Sequence, residues 1–304
     1  MPQKKTVMLS AVCVVALSAV FAVSSIFYAS AAARTKKKTD TQTGKTTSSV
    51  SSTSSAASQT TRATQSTRAA LPDIASLSGK KVCWGQGTNY DDLNRPHDAV
   101  EAQKQYGALG GRFLINDDDR KTLCLTFDEG YENGYSAAIL DTLKEKNVKA
   151  VFFITGDYAQ REGDLVQRMI DEGHTVGNHT WKHYSMPEKT LDVSRGELQE
   201  LHDYVKEHFQ YEMHVMRPPK GEFSEQTLAL ASEMGYQTYL WSFAYKDWDP
   251  HSQGDKTASL QKLNDRLHPG AIYLLHAVSS TNAAILGDFI DSAQSQGYTF
   301  VLPA

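Results

Sequence analysis

Cysteine is scarce: three in 304 residues, enough for one disulfide at most. Two common fingerprints are missing altogether. No G-x-G-x-x-G follows the first strand-like run, which argues against a nucleotide-binding fold, and no G-x-S-x-G elbow supports a Ser/His/Asp nucleophile. Positive charge is short where nucleic acid would need it. Beyond residue 72 there are twenty-two Lys and Arg against thirty-four Asp and Glu, so the body lacks the basic face that phosphate recognition requires, and no nucleic-acid partner is expected. Residues 34–72 have almost no large apolar side chains and cannot offset the entropy of ordering by burial. They read as a flexible Ser/Thr/Lys-rich linker.

The basic residues that the body lacks are at the start, where the first 72 residues hold nine Lys and Arg and a single acid, Asp40. Lys4 and Lys5 precede an apolar or small-residue run from Val7 to Tyr28, close to the ~20 residues that cross a bilayer. Ala29-Ser30-Ala31 then offers a small-x-small cleavage site. Residues 1–33 therefore read as a cleaved signal peptide or as a membrane anchor. The length favours the anchor, because signal-peptide cores run about 7–15 residues. In either case the body is expected outside the cytoplasmic membrane, anchored or secreted. Cys13 lies within the apolar run. Export permits Cys83 and Cys124 to pair, but Cys124 alternates with apolar neighbours in a strand-like run, so two separate buried thiols are at least an equal reading.

From Lys121 the pattern alternates. "TLCLTF" (122–127) reads as a buried strand and "SAAILDTLKEKN" (136–147) as an amphipathic helix. "KAVFFIT" (149–155) reads as a second strand and "DLVQRMIDEG" (164–173) as a helix closed by Gly173. A longer helix runs from Asp192 to Phe209, and further strand–helix units follow to the end of the chain. Such strict succession predicts a parallel α/β architecture, closed or nearly closed into a barrel. In that class the chemistry gathers at the carboxyl ends of the strands. Asp128 and Glu129, His179, Arg217, Asp247 and His276 all fall there.

"NHTWKH" places His179 and His183 four residues apart. On one helical turn such side chains share a face, about 5–6 Å apart at Cβ, near enough to reach one ion at about 2.0–2.1 Å. Alone the pair is a weak signal, equally an exposed polar pair. The residues between, Thr180, Trp181 and Lys182, include no base, so a hydrolytic site must draw one from elsewhere. Asp128 and Glu129 could divide that labour, one ligating a metal and the other taking a proton from water.

"TFDEG", "NHTWKH", "RPPKGEFS", "WSFAYKDW" and "YLLH" occur in the order and approximate spacing of the five motifs of NodB-type polysaccharide deacetylases, carbohydrate esterase family four, and the chain resembles that family from Thr122 to its end. The resemblance implies a deformed parallel (β/α) barrel that hydrolyses the N-acetyl amide of an amino sugar with zinc or a similar divalent ion. It makes Asp128 the base, paired with Arg217, and His276 the general acid, oriented by Asp247. His179, His183 and Glu129 would be the metal ligands, with Glu129 where an Asp is usual, and the backbone N–H of Lys220 would stabilise the oxyanion. "WGQGTNYDDLNRP", "YENGY" and "HPGAIYLLHAVSSTNA" resemble the delta-lactam-biosynthetic subgroup, which acts on N-acetylmuramic acid in peptidoglycan and also carries a residue other than Asp after the base. Tyr131 and Trp248 are the expected sugar contacts. Residues 73–120 are then an N-terminal extension packing on a deacetylase domain at 121–304. Peptidoglycan strands are the implied partner, the membrane is contacted only through the N-terminal segment, and a monomer is expected. An N-acetylglucosamine deacetylase and, more distantly, a non-catalytic glycan-binding protein are the alternatives.

Overall fold

Strand β3 (Thr122–Glu129) carries apolar residues at almost every position because both of its faces are covered. Leu123, Leu125 and Phe127 point to the helices, whereas Cys124 points into the curl of the sheet. β4 (Val151–Ile154) and β10 (Ala271–Leu275) divide in the same way. Phe152, Ile154, Tyr273 and Leu275 lie on the outer side, and Val151, Phe153, Ile272 and Leu274 lie on the inner. The computed structural model describes residues 72–116 and 118–303. The signal or anchor reading of 1–33 and, apart from Pro72, the linker reading of 34–72 lie outside the described residues.

The remaining strands are β1 (Val82–Cys83), β2 (Gly111–Arg112), β5 (Thr175–Asn178), β6 (Val215–Met216), β7 (Glu222–Phe223), β8 (Gln237–Tyr239), β9 (Phe243–Ala244) and β11 (Thr299–Phe300). The helices are α1 (His97–Tyr106), α2 (Ser136–Glu145), α3 (Gly156–Arg161), α4 (Gly163–Asp171), α5 (Leu191–Phe209), α6 (Glu225–Glu233), α7 (Lys256–Asp265) and α8 (Ser280–Ser295). The main sheet runs β2-β8-β6-β5-β4-β3-β10-β9, with β11 also on β3, and its pairings are parallel. β8 and β9 lie near opposite ends of this order, yet only Leu240–Ser242 separates them in the chain. One short run of backbone therefore joins the two sides, with Leu240 N–H donating to Arg112 O and Ser242 N–H to Ile272 O. The sheet is accordingly curled strongly into a half-barrel of the deformed type that the motif order implied, although its end strands β2 and β9 do not pair to close it.

The helices stop where the sequence predicts. Asn147 (φ 51°) follows α2 and Gly173 (φ 76°) follows α4, both in the left-handed conformation that ends a helix and turns the chain into the next strand. Residues 73–120 contribute more than the sequence pattern indicates: α1, β2 in the main sheet, and β1 paired antiparallel with β7. Cys83 and Cys124 are both free, so of the two readings the separate thiols hold, but only Cys124 is buried as expected and Cys83 is exposed.

Candidate active site

The carboxyl ends of β3, β5, β6, β9 and β10 open into one cavity of about 700 Å³. Asp128, His179, His183, Lys220 and His276 all line it. Arg217, the first residue after β6, is fully buried and donates from Nη1 to Asp128 Oδ1 at 2.7 Å. Its Nε and Nη2 donate to the carbonyls of Tyr239 (2.9 Å) and Leu240 (3.1 Å), and its guanidinium lies 4.3 Å from the Phe153 ring centre. Every face of the cation is thereby occupied, as a charge out of water requires. Burial acts to raise the pKa of Asp128, but Arg217 above all, with His179 and His276, outweighs it and holds the carboxyl below its ordinary 3.8.

His276 follows β10. Its Nδ1–H donates to Asp247 Oδ1 at 2.7 Å, which turns Nε2 away from Asp247. Burial acts against the imidazolium, yet the bond to Asp247 and the charges of Asp247 and Asp128 prevail, and the pKa lies above 6.5. Asp247 is buried and fully engaged. Its Oδ2 accepts from His276 N–H (2.9 Å) and from Asn282 Nδ2 (2.6 Å). Asn282, in the first turn of α8, also bonds Tyr245 and the carbonyl of His276; it lies within a stretch that resembles the subgroup, but sequence reasoning gave it no role because its partner Asp247 is 35 residues away.

His179 and His183 converge with their Nε2 atoms 3.2 Å apart, and His179 Nε2 is 3.5 Å from Asp128 Oδ2. The sequence expectation of one helical turn is corrected, because Thr180 (φ 66°) and His183 (φ 56°) are left-handed and the segment is a loop. Side chains hold that turn. Asn178 Oδ1 accepts from Thr180 N–H, Thr180 Oγ1 from His183 N–H, and Glu197 on α5 accepts from Lys182 N–H at 2.6 Å. Burial lowers both histidine pKa values, that of His183 to about 3, so both rings are neutral at pH 7. His179 Nδ1–H donates to Arg217 O at 2.8 Å, which leaves the Nε2 lone pair facing His183. Two donors on one tetrahedral ion lie about 3.3 Å apart at ordinary zinc–nitrogen lengths. The imidazole pair fits two ligands of a divalent ion.

Glu129 does not join them. It follows Asp128 in the same strand, and the alternation that turns Asp128 into the cavity turns Glu129 toward the helices, where its neighbours include Tyr158 and Glu132. Both of its carboxyl oxygens are buried without a hydrogen-bond partner. Burial first, then Glu132 and Asp128, push its pKa well above 4.5. Among the described residues no cluster of three His, Cys, Asp or Glu side chains forms a metal site. The expected Glu-His-His set thus reduces to two imidazoles.

Lys220 sits in a left-handed turn (φ 60°) at the cavity wall. Tyr131 and Trp248, 49% and 53% exposed, line the same cavity, so the two expected sugar contacts are large rings left open to solvent beside the reactive groups.

A carboxylate kept acidic by a buried guanidinium and an imidazole whose pKa a buried carboxylate raises line one cavity at the strand ends of a curled parallel sheet, the base and acid that hydrolysis of a carbon–nitrogen bond calls for. Residues 115–239 match the polysaccharide deacetylase family. The chain is 41% identical over 208 residues to the peptidoglycan-N-acetylmuramic acid deacetylase PdaA of Bacillus subtilis, covering 67% of this chain and 79% of that protein. It is 42% identical over 230 residues to an uncharacterized 30.6 kDa protein of Geobacillus stearothermophilus, covering 74% and 85%. The solved structure of B. subtilis PdaA, a family 4 carbohydrate esterase, matches with a TM-score of 0.69 at 36% identity over 74% of this chain and 95% of that one. The chain belongs to the polysaccharide deacetylases of carbohydrate esterase family 4.

The position of Glu129 has a measurable consequence. Its raised pKa means that unfolding releases a proton above pH 4.5, so its contribution to stability falls as pH rises toward the folded-state value. Glu129→Met, which buries no polar atom there, is expected to raise the melting temperature, by roughly 1–3 kcal/mol of stability, with a gain that grows from pH 5 to pH 8 and no loss of hydrolysis. A gain that shrinks with pH would remove the buried acid from the account.

Proposed function

We propose that this protein removes the N-acetyl group of N-acetylmuramic acid in peptidoglycan, working outside the cytoplasmic membrane from a tether formed by residues 1–72. The observation that carries the reading is that Asp128 and His276 line one cavity, each with its pKa displaced by a buried partner, the carboxyl downward and the imidazole upward. An amide leaves only when its nitrogen is protonated, so a base without an acid would not suffice. The likeness to B. subtilis PdaA supports muramic acid as the sugar, and the exposed rings of Tyr131 and Trp248 suit a glycan strand lying across the opening.

In this scheme Asp128 takes the proton of a water molecule as its oxygen attacks the acetyl carbon, with Arg217 holding the carboxylate in place. The backbone N–H of Lys220 donates to the carbonyl oxygen as it becomes an oxyanion. His276 gives its Nε2 proton to the nitrogen as the C–N bond breaks, releasing acetate and leaving an amine on the sugar. Asp247 keeps the imidazole aimed and charged until that step. His179 and His183 would hold a divalent ion, zinc or a similar one, which when bound supplies Lewis-acid polarisation of the carbonyl and a lower pKa for water. Two protein ligands instead of three hold such an ion weakly.

Replacing Asp128 or His276 with Ala is expected to abolish acetate release, a fall of at least 10²-fold per group, with the melting curve retained. Full activity in either variant removes the assigned roles. Asp247→Asn is expected to lower the His276 pKa and to move the alkaline limb of the kcat/KM profile to lower pH, so that activity at pH 8 falls more than at pH 6. An unmoved limb would free Asp247 from that duty. Mass spectrometry of muropeptides after incubation tests the sugar: one acetyl lost from the muramic residue supports the reading, and loss from glucosamine instead overturns it. Chelator dialysis should strip any ion and depress the rate, and an unchanged rate takes the ion out of the scheme.

A further inference from the structure

The stretch Lys81–Gln86 lies ahead of the region matched to the family, yet it is bound to the wall of the cavity at several points. β1 pairs with β7, immediately after the Lys220–Gly221 turn. Trp84 N–H donates to Gly221 O at 3.1 Å, and its indole Nε1–H to Trp241 O at 2.9 Å. Gln86 bonds in both directions. Its Nε2 donates to Ala244 O (3.0 Å) and its Oε1 accepts from Trp241 Nε1 (3.0 Å).

Trp241 is the object of these bonds. It is 8% exposed and lines the cavity, but its N–H is turned to Gln86. One edge of the indole packs so closely on Gly221 (φ 66°) that a Cβ there would lie 2.5 Å from it, and Arg217 Cζ is 5.8 Å from its ring centre. The ring thus stands between the turn that presents Lys220 and the guanidinium that pairs with Asp128. An indole has no other polar atom by which its rotation could be fixed.

We infer that Gln86 is a positioning residue for hydrolysis: it locks the Trp241 ring, and through it the Lys220–Gly221 turn, so that the backbone of that turn is set before the substrate arrives. The inference rests on the oxyanion role given to Lys220 above. A misplaced oxyanion donor weakens the transition state more than the bound substrate, so the loss falls on kcat.

The experiment uses the purified full chain and acetate release from glycan. Gln86→Met keeps the length and removes both bonds. Trp241→Phe keeps a ring and removes the N–H. Each is expected to lower kcat about tenfold with KM within about twofold. The double variant should lose clearly less than the product of the two single losses, because both singles cut the same Trp241–Gln86 hydrogen bond. Gln86→Glu, which keeps an acceptor for the indole, should recover part of the loss, and it also serves if Gln86→Met fails to fold. Wild-type kcat in Gln86→Met, losses that multiply in the double variant, or a loss confined to KM would each overturn the inference. If the wild-type chain itself released no acetate, it would be the deacetylase reading that failed.

Discussion

A guanidinium with no exposed surface has to be neutralised and hydrogen-bonded on all sides, and that requirement organises the centre of this molecule. Arg217 meets it with one carboxylate, two carbonyls and two aromatic rings drawn from β3, β4, β8 and the Leu240–Ser242 bend. Its own backbone closes the arrangement: N–H to Asn178 O and O to His179 Nδ1. The same residue therefore ionises Asp128, fixes which nitrogen of His179 keeps a lone pair, and ties β6 to the Leu240–Ser242 bend that joins the two sides of the sheet. Lysine could not replace it, since a single ammonium cannot supply three donors in a planar fork.

The period of a β-strand decides what two neighbouring carboxylates can do. Asp128 and Glu129 differ by one position and hence by a whole face, one in the cavity beside the Arg217 guanidinium and the other buried near Tyr158 and Glu132 without a hydrogen-bond partner. Their pKa values are driven in opposite directions by that geometry alone. The pair of adjacent acids looks in sequence like two members of one site, but the pleat makes them members of two environments. Length does not rescue the ligand reading, because an extra methylene extends a side chain along the direction in which its Cβ already points.

What could be read from sequence follows from this. Residues that end buried apolar runs were legible as a site, because a parallel sheet gathers the carboxyl ends of its strands whatever the details of its curl. Asp128, Arg217, Asp247 and His276 were found in that way. The His179–His183 pair was found as well, although by a helical spacing that the chain does not use. Two left-handed residues, braced by Asn178, Thr180 and Glu197, bring the rings together instead, and side-chain braces of that kind have no periodicity to detect. Gln86 and Asn282 fall within stretches that resemble the subgroup, yet their roles were illegible, as was the joint formed by β1 and β7: each acts through contacts with residues elsewhere in the chain, which the motif itself does not name.

The resting charges of the centre now follow from burial and proximity. Asp128 is anionic, the pKa of His276 is raised, and His179 and His183 are neutral, with the carboxylate and the imidazolium each favouring the other. Arg217 opposes the imidazolium, so the raised pKa of His276 depends on Asp247 first and on Asp128 as well, whereas Asp128 has Arg217 beside it to keep its carboxyl acidic. The two proton carriers are thus prepared before substrate enters, and in the proposed reaction each ends in the state the other began in: the carboxyl protonated, the imidazole neutral. Once the carboxyl is neutral, the attraction that raised the imidazole's pKa weakens. The first proton transfer therefore makes the second easier, and the order of attack before departure is built into the electrostatics of the pair.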